Sequence, residues 1–181
     1  MDRLFVAIDL PVEIKRDFVV ILDELRSANG KTVPIENIHL TVKFIGETNK
    51  TKDIINTLSA IRFRSFSLSV EGVGLFGSVY HPKVFWVGVV KNESLESLFL
   101  VLEEELSKVG IAKENREFSP HITLARFKAK PDIRRLESVL KTYGSRKFGS
   151  FDVKGVTLYK SELAHPNPKY FPLKFFQLEG A

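Results

Sequence analysis

NIHLTVKFIGE, residues 37–47, and FSPHITLARF, residues 118–127, are the two stretches on which the reading of this chain turns. Each holds the same four residues in order, histidine, aliphatic, threonine, aliphatic: His39-Leu40-Thr41-Val42 and His121-Ile122-Thr123-Leu124. Both copies sit in strand-like runs. Side chains alternate faces along a strand, so His and Thr at i and i+2 point one way and the aliphatic pair enters the layer behind. Halves related by an approximate two-fold would oppose the two His-x-Thr faces across one cleft. The chain has four histidines, and half of them fall in this pattern.

Working outward, Leu4, Val6 and Ile8 alternate with Phe5, Ala7 and Asp9 and predict a strand over 3–9. Ile14, Phe18, Ile21, Leu22 and Leu25 recur at helical spacing after Pro11 and predict a helix over about 12–28, ended by Asn29-Gly30. A strand at 38–45 and a helix near 51–62 follow. Phe66-Leu68-Val70 and the run 84–90 then read as a strand pair, joined through Gly77, His81 and Pro82, that forms the hairpin of a first lobe. Leu95, Leu98, Phe99, Leu102 and Leu106 mark an amphipathic helix from Asn92 to Gly110. The second half repeats the order strand, helix, strand, strand: 119–127, a helix opened by Pro131, then strands near 148–160 and 170–178. The expected class is α+β, with two similar halves side by side in one domain, residues 1–181.

With 181 residues, 44% of them apolar and 15 phenylalanines, the chain can build a sizeable core. Its longest apolar run, Val84 to Val90, is too short to cross a bilayer, and Asp9 interrupts the first apolar run before a secretion signal could develop. Zero cysteines exclude disulfides, thiol catalysis and thiolate zinc sites, and agree with a cytoplasmic location. The net charge is +5, and its distribution is uneven. Residues 1–129 carry 17 Lys+Arg and 17 Asp+Glu, whereas residues 130–174 carry 10 against 4, so the last quarter is expected to attract phosphates.

Two imidazoles and two hydroxyls, with no obligatory carboxylate or cysteine, suit phosphodiester cleavage by in-line displacement. One imidazole deprotonates the attacking oxygen, the other protonates the leaving oxygen, and Thr41 and Thr123 hold the non-bridging oxygens. No Asp, Glu or Cys stands at ligand spacing around either copy, so neither a metal nor another cofactor is expected. Ser119 lacks the partners of a serine nucleophile.

At these residues the sequence resembles the 2H phosphoesterase superfamily, defined by paired H-h-[ST]-h motifs. Within it, the resemblance is to the RNA 2′,3′-cyclic phosphodiesterases once called 2′-5′ RNA ligases. The opening RLFVAIDLP, both motifs, and the closing LYKSEL followed by Tyr170 carry the likeness, which spans essentially the whole chain. The resemblance implies a bilobal α+β fold, with two antiparallel sheets flanking a central cleft, helices outside and no metal. It implies hydrolysis of RNA 2′,3′-cyclic phosphate ends to 2′-phosphomonoesters, with a weak reversible 2′-5′ joining seen for some relatives. Carried over by position, His39 is the proton donor and His121 the proton acceptor. The residues alone leave those two roles interchangeable.

Lys43 shares the face of His39 and Thr41 by period-two counting and is a candidate substrate contact. Arg126 points away by the same counting unless a bulge re-aims it, and it is retained as a phosphate contact because the family commonly has Arg there. Phe44, Phe76 and Phe127 are either base-stacking or core residues. His81 and His165 read as exposed bystanders. The partner expected is RNA with a cyclic phosphate end, met by a monomer. Rival readings are a small-molecule cyclic phosphodiesterase acting on nucleotides or ADP-ribose cyclic phosphate, and an RNA-binding module without catalysis.

Overall fold

The computed structural model describes residues 1–180, in the order β1 (Asp2–Asp9), α1 (Val12–Ser27), β2 (Lys31–Thr32), a 3₁₀ turn (Ile35–Asn37), β3 (His39–Thr48) and α2 (Thr51–Ala60). There follow β4 (Phe66–Gly77), β5 (Pro82–Val89), α3 (Glu93–Lys108), β6 (His121–Arg126), α4 (Ile133–Tyr143), β7 (Lys147–Val153), β8 (Gly155–Glu162) and β9 (Lys169–Gln177). The class is α+β, and every strand pairing within the sheet is antiparallel.

The periodic apolar residues form the helix faces they predict. In α1, Ile14, Phe18, Ile21, Leu22 and Leu25 are all buried, each contributing about 1.5–3 kcal/mol of transfer free energy. Asn92 caps α3 by accepting from the Leu95 amide, and Asp132, rather than Pro131, caps α4 by accepting from the Arg135 amide.

The two expected sheets are continuous. The strand order is β7-β4-β5-β6-β3-β1-β8-β9, with β2 added against β6, and the single register pair Leu40–Ile122 joins β3 to β6. That pair lies within the two motifs, so the junction of the two four-stranded leaves is also the floor of the site. No helix among the described residues is long and apolar enough to cross a membrane.

The leaves are not the two sequence halves. The hairpin β4–β5 was expected in the lobe of the first motif, but it pairs with β6 of the second. β3 has no free edge to offer it, since β1 occupies one side and β6 the other. Conversely, β8 and β9 extend the leaf of β1 and β3. Helices cross over too: α1, leaving β1, packs with α4 on the leaf of β6, whereas α3, leaving β5, packs on β3 beside α2.

Candidate functional site

Both motif strands carry the same irregularity. In β3, Lys43 faces Val6 and Thr41 faces Ala7, which leaves Val42 as an extra residue. In β6, Ala125 faces Phe85 and Thr123 faces Trp86, which leaves Leu124 extra. A bulge of this kind puts two successive residues on one side and reverses the parity beyond it. Accordingly Val42 and Lys43 are both buried, as are Leu124 and Ala125, and Phe44 and Arg126 emerge on the cleft side.

This corrects the reading of Lys43. It does not line the cleft: it is 2% exposed, paired with Glu103 at 2.5 Å, and its Nζ donates to the Ala112 carbonyl at 2.8 Å. The matching bulge in β6 brings Arg126, which strict alternation turned away, into the wall of the cleft. Phe44 also lines it, 44% exposed, with the Arg3 guanidinium 5.2 Å from its ring centroid.

His39, Thr41, His121 and Thr123 line one cleft of about 590 Å³. The two imidazoles are held alike. His39 Nδ1–H donates to the Asn37 carbonyl at 2.6 Å and His121 Nδ1–H to the Ser119 carbonyl at 2.8 Å, each acceptor two residues upstream. A bond at Nδ1 fixes the tautomer and leaves Nε2 for chemistry. His39 Nε2 lies 2.9 Å from Thr41 Oγ1. The His39 ring stacks on Phe5 at 4.9 Å and meets Tyr170 edge-on at 5.5 Å, while His121 meets Phe76 edge-on at 4.7 Å.

Burial holds both imidazoles below the usual histidine range, because the charged form loses hydration. Neighbouring charges then separate them. Around His39, the Asn37 carbonyl and the Asp9 carboxylate favour the imidazolium, against Lys15 and His121. Around His121, the Ser119 carbonyl favours it and the Arg126 cation opposes it.

Arg3, Lys31, Arg126 and Lys128 line the cleft, with no Asp or Glu among the lining residues. None of the four forms an ion pair among the described residues. The wall is therefore cationic, but not from the expected source: no Lys or Arg of residues 130–174 lines it. Several of those are engaged elsewhere, Lys160 with Asp2 and Glu162, Arg135 with Asp132 and Arg146 with Asp17. His81 lies in an exposed turn and His165 in an exposed loop, while Phe127 packs against the core. Among the described residues no three His, Cys, Asp or Glu side chains gather as a metal site.

Sequence reasoning missed Asn37 and Ser119, since each acts through a backbone carbonyl that carries no side-chain signal. It missed Phe5 and Asp9, and had Tyr170 only as part of the family likeness, because their relation to His39 depends on which strands become neighbours. Arg3 and Lys31 stood in a charge-balanced stretch and drew no attention.

The chain matches, over residues 11–164, a family model described as the 2′-5′ RNA ligase superfamily. It is 34% identical over 174 residues to a Methanocaldococcus jannaschii protein named RNA 2′,3′-cyclic phosphodiesterase, covering 95% of this chain and 98% of that one. The structure of TT0787 from Thermus thermophilus superposes with a TM-score of 0.84 at 28% identity, and that of E. coli LigT complexed with 3′-AMP with 0.79 at 29%, each covering 98% of both chains.

Proposed function

This chain belongs to the 2′-5′ RNA ligase superfamily, and on that premise we propose that it is an RNA 2′,3′-cyclic phosphodiesterase in which two histidines, without a metal, hydrolyse the cyclic phosphate to a 2′-phosphomonoester. The observation that carries the reading is one cationic cleft lined by two imidazoles, each tied at Nδ1 to a carbonyl, together with the Thr41 and Thr123 hydroxyls, the first of them 2.9 Å from His39 Nε2.

His121 Nε2 takes a proton from water, and the water oxygen attacks phosphorus. The bond from phosphorus to O3′ breaks in line, and His39 Nε2–H gives its proton to O3′ as it leaves. One water is consumed, and a 3′-hydroxyl and a 2′-phosphate result. Thr41 and Thr123 donate to the non-bridging oxygens, and Arg126 compensates the charge that builds on them. The charge environment supports this division of labour. Burial lowers both values most; among the neighbouring charges, Asp9 works towards the protonated His39 required of an acid, and Arg126 towards the neutral His121 required of a base. A terminal RNA hydroxyl in place of water would run the step towards 2′-5′ joining. The proposed setting is the cytoplasm, in keeping with a chain without cysteine, and the proposed working form is a monomer, since one chain builds the whole cleft.

The test is to incubate the protein, with chelator present, with RNA ending in 2′,3′-cyclic phosphate and identify the product. A 2′-phosphate end is expected. A 3′-phosphate would reverse the leaving oxygen, loss of turnover with chelator would remove the metal-free mechanism, and absence of turnover under all conditions would leave a binding module.

A further inference from the structure

Lys43 and Glu103 form an ion pair with side chains 2% and 7% exposed, directly behind the first motif. Withdrawing two such charges from water is unfavourable unless the geometry and further hydrogen bonds compensate, and apolar residues of similar volume commonly do as well for stability alone. The remaining bonds of this pair all converge on one segment. Lys43 Nζ donates to the Ala112 carbonyl at 2.8 Å, and Glu103 accepts from the Glu114 amide at 2.6 Å. The chain from 112 to 120 is neither helix nor strand and is mostly exposed; Phe118, stacked on Phe99 at 4.2 Å, is its apolar anchor, and Lys113 pairs with Glu104 on its exposed side. Near its end stands Ser119, whose carbonyl holds His121 Nδ1 at 2.8 Å.

We infer that Lys43 and Glu103 are positioning residues for His121: from the strand and helix behind the first motif, they fix the segment whose Ser119 carbonyl sets the tautomer and aim of the second motif's imidazole. The inference rests on the reading of His121 as the base. It also gives a use to the difference between the two motifs. Ala125, which holds the place of Lys43 in the second copy, needs no long arm, because the segment preceding the first motif is held by backbone pairing: β2 lies against β6, and the Val33 amide donates to the Leu124 carbonyl at 2.8 Å. His39 is therefore independent of the pair.

The test combines the double substitution Lys43→Met and Glu103→Leu, which removes both charges and keeps an apolar pair, with nitrogen-15 spectra of the two imidazoles and steady-state kinetics. Expected are a thermal midpoint close to the parent's, a kcat lower by about 10- to 100-fold with KM little changed, and a His121 that loses its pure Nδ1–H tautomer while His39 keeps it. A folded double variant with an unchanged His121 tautomer overturns the inference, whatever its kcat, and so does an equal change in both histidines. Should the double variant not fold, hydrogen exchange on the parent protein decides. The Glu114 amide is expected to be protected, and free exchange there overturns the inference. A parent protein that turns over no cyclic phosphate would refute the proposed function, while the tautomer and exchange readouts would still report on the tether.

Discussion

Asp9 lies directly across the β1–β3 strand pair from His39, its carboxylate oxygens accepting from the Thr157 hydroxyl at 2.7 Å and the Tyr159 hydroxyl at 2.6 Å. The Tyr159 ring stacks on Phe5 at 5.3 Å, and Phe5 stacks in turn on His39. One anion thus anchors a column of rings that ends at the imidazole. Among the described residues the second motif has no such anion, and the charge acting on its histidine is Arg126. Two motifs alike in sequence are made unlike in charge by their neighbours.

The first prediction follows from that asymmetry. In the free enzyme kcat/KM requires neutral His121, which sets the acid limb of the pH profile, and protonated His39, which sets the basic limb. Both groups are held below the ordinary value of 6.5 by burial, so the profile should centre on the acid side of it. Asp9→Asn removes an anion that favours the imidazolium, against Lys15 and His121, which oppose it, so the His39 value falls further. The basic limb should then move to lower pH, by a modest step because Asp9 is exposed and water screens it. The acid limb should stay in place. A basic limb that does not move would remove Asp9 from the account.

The second prediction concerns the imidazoles themselves. His39→Ala and His121→Ala should each lower kcat/KM by about 10²- to 10⁴-fold, and the double variant by much less than the product of the two, because the histidines act in one step. Both side chains are half-buried at the cleft wall rather than in the core, so far-ultraviolet circular dichroism should match the parent. A kcat/KM within about tenfold of the parent's in either single variant would exclude the mechanism.

These residues were legible because side-chain alternation needs no tertiary information over the first few residues of a strand. His39, Thr41, His121 and Thr123 all face the cleft as counted. Counting fails two residues later, where each strand bulges, and so Lys43 and Arg126 exchange the sides that alternation gave them. A bulge is decided by the partner strand, and nothing in HLTVKF or HITLAR announces it. The helices and most strands were likewise readable from periodicity, whereas the two-residue β2 leaves no periodic trace. Lobe membership was misread for a related reason: which edge receives the β4–β5 hairpin depends on which edges other strands have already occupied.

A third prediction uses the burial of the same histidines in a different measurement. Their folded values lie below the unfolded value of about 6.5. The unfolded chain therefore binds more protons as the pH falls below that value, so the stability present above pH 6.5 is lost on acidification. Replacing His39 by Ala should remove its share of this loss. The drop in thermal midpoint between pH 7 and pH 5 should be smaller in the variant than in the parent, and an equal or larger drop would contradict the assigned direction.

A fourth prediction separates the cleft cations from the rest. If all four of Arg3, Lys31, Arg126 and Lys128 meet phosphates of a single strand, log(kcat/KM) should fall with log salt at a slope of about −3 at most. Substituting Lys128 by Ala should reduce the slope by about 0.7. Substituting Arg134 or Lys141, which are exposed on α4 and outside the cleft, should leave it unchanged. A slope that responds to the α4 residues would move the RNA path to the basic last quarter.

The fifth prediction concerns the joint between the leaves. Leu40 and Ile122 are fully buried and form the register pair that connects β3 to β6. Leu40→Ala should destabilise the protein by about 2–5 kcal/mol through lost burial and a residual cavity. For a chain of this size each kcal/mol lowers the thermal midpoint by roughly 2–4 °C. Scanning calorimetry should show one cooperative transition in parent and variant, with calorimetric and van't Hoff enthalpies equal. Each leaf is covered by a helix that leaves the other: α1 begins beside β1 in one leaf and packs on the other, and α3 makes the opposite crossing. Two resolved transitions in the Leu40→Ala variant would mean that the leaves fold as separate units and that the site between them is assembled by docking.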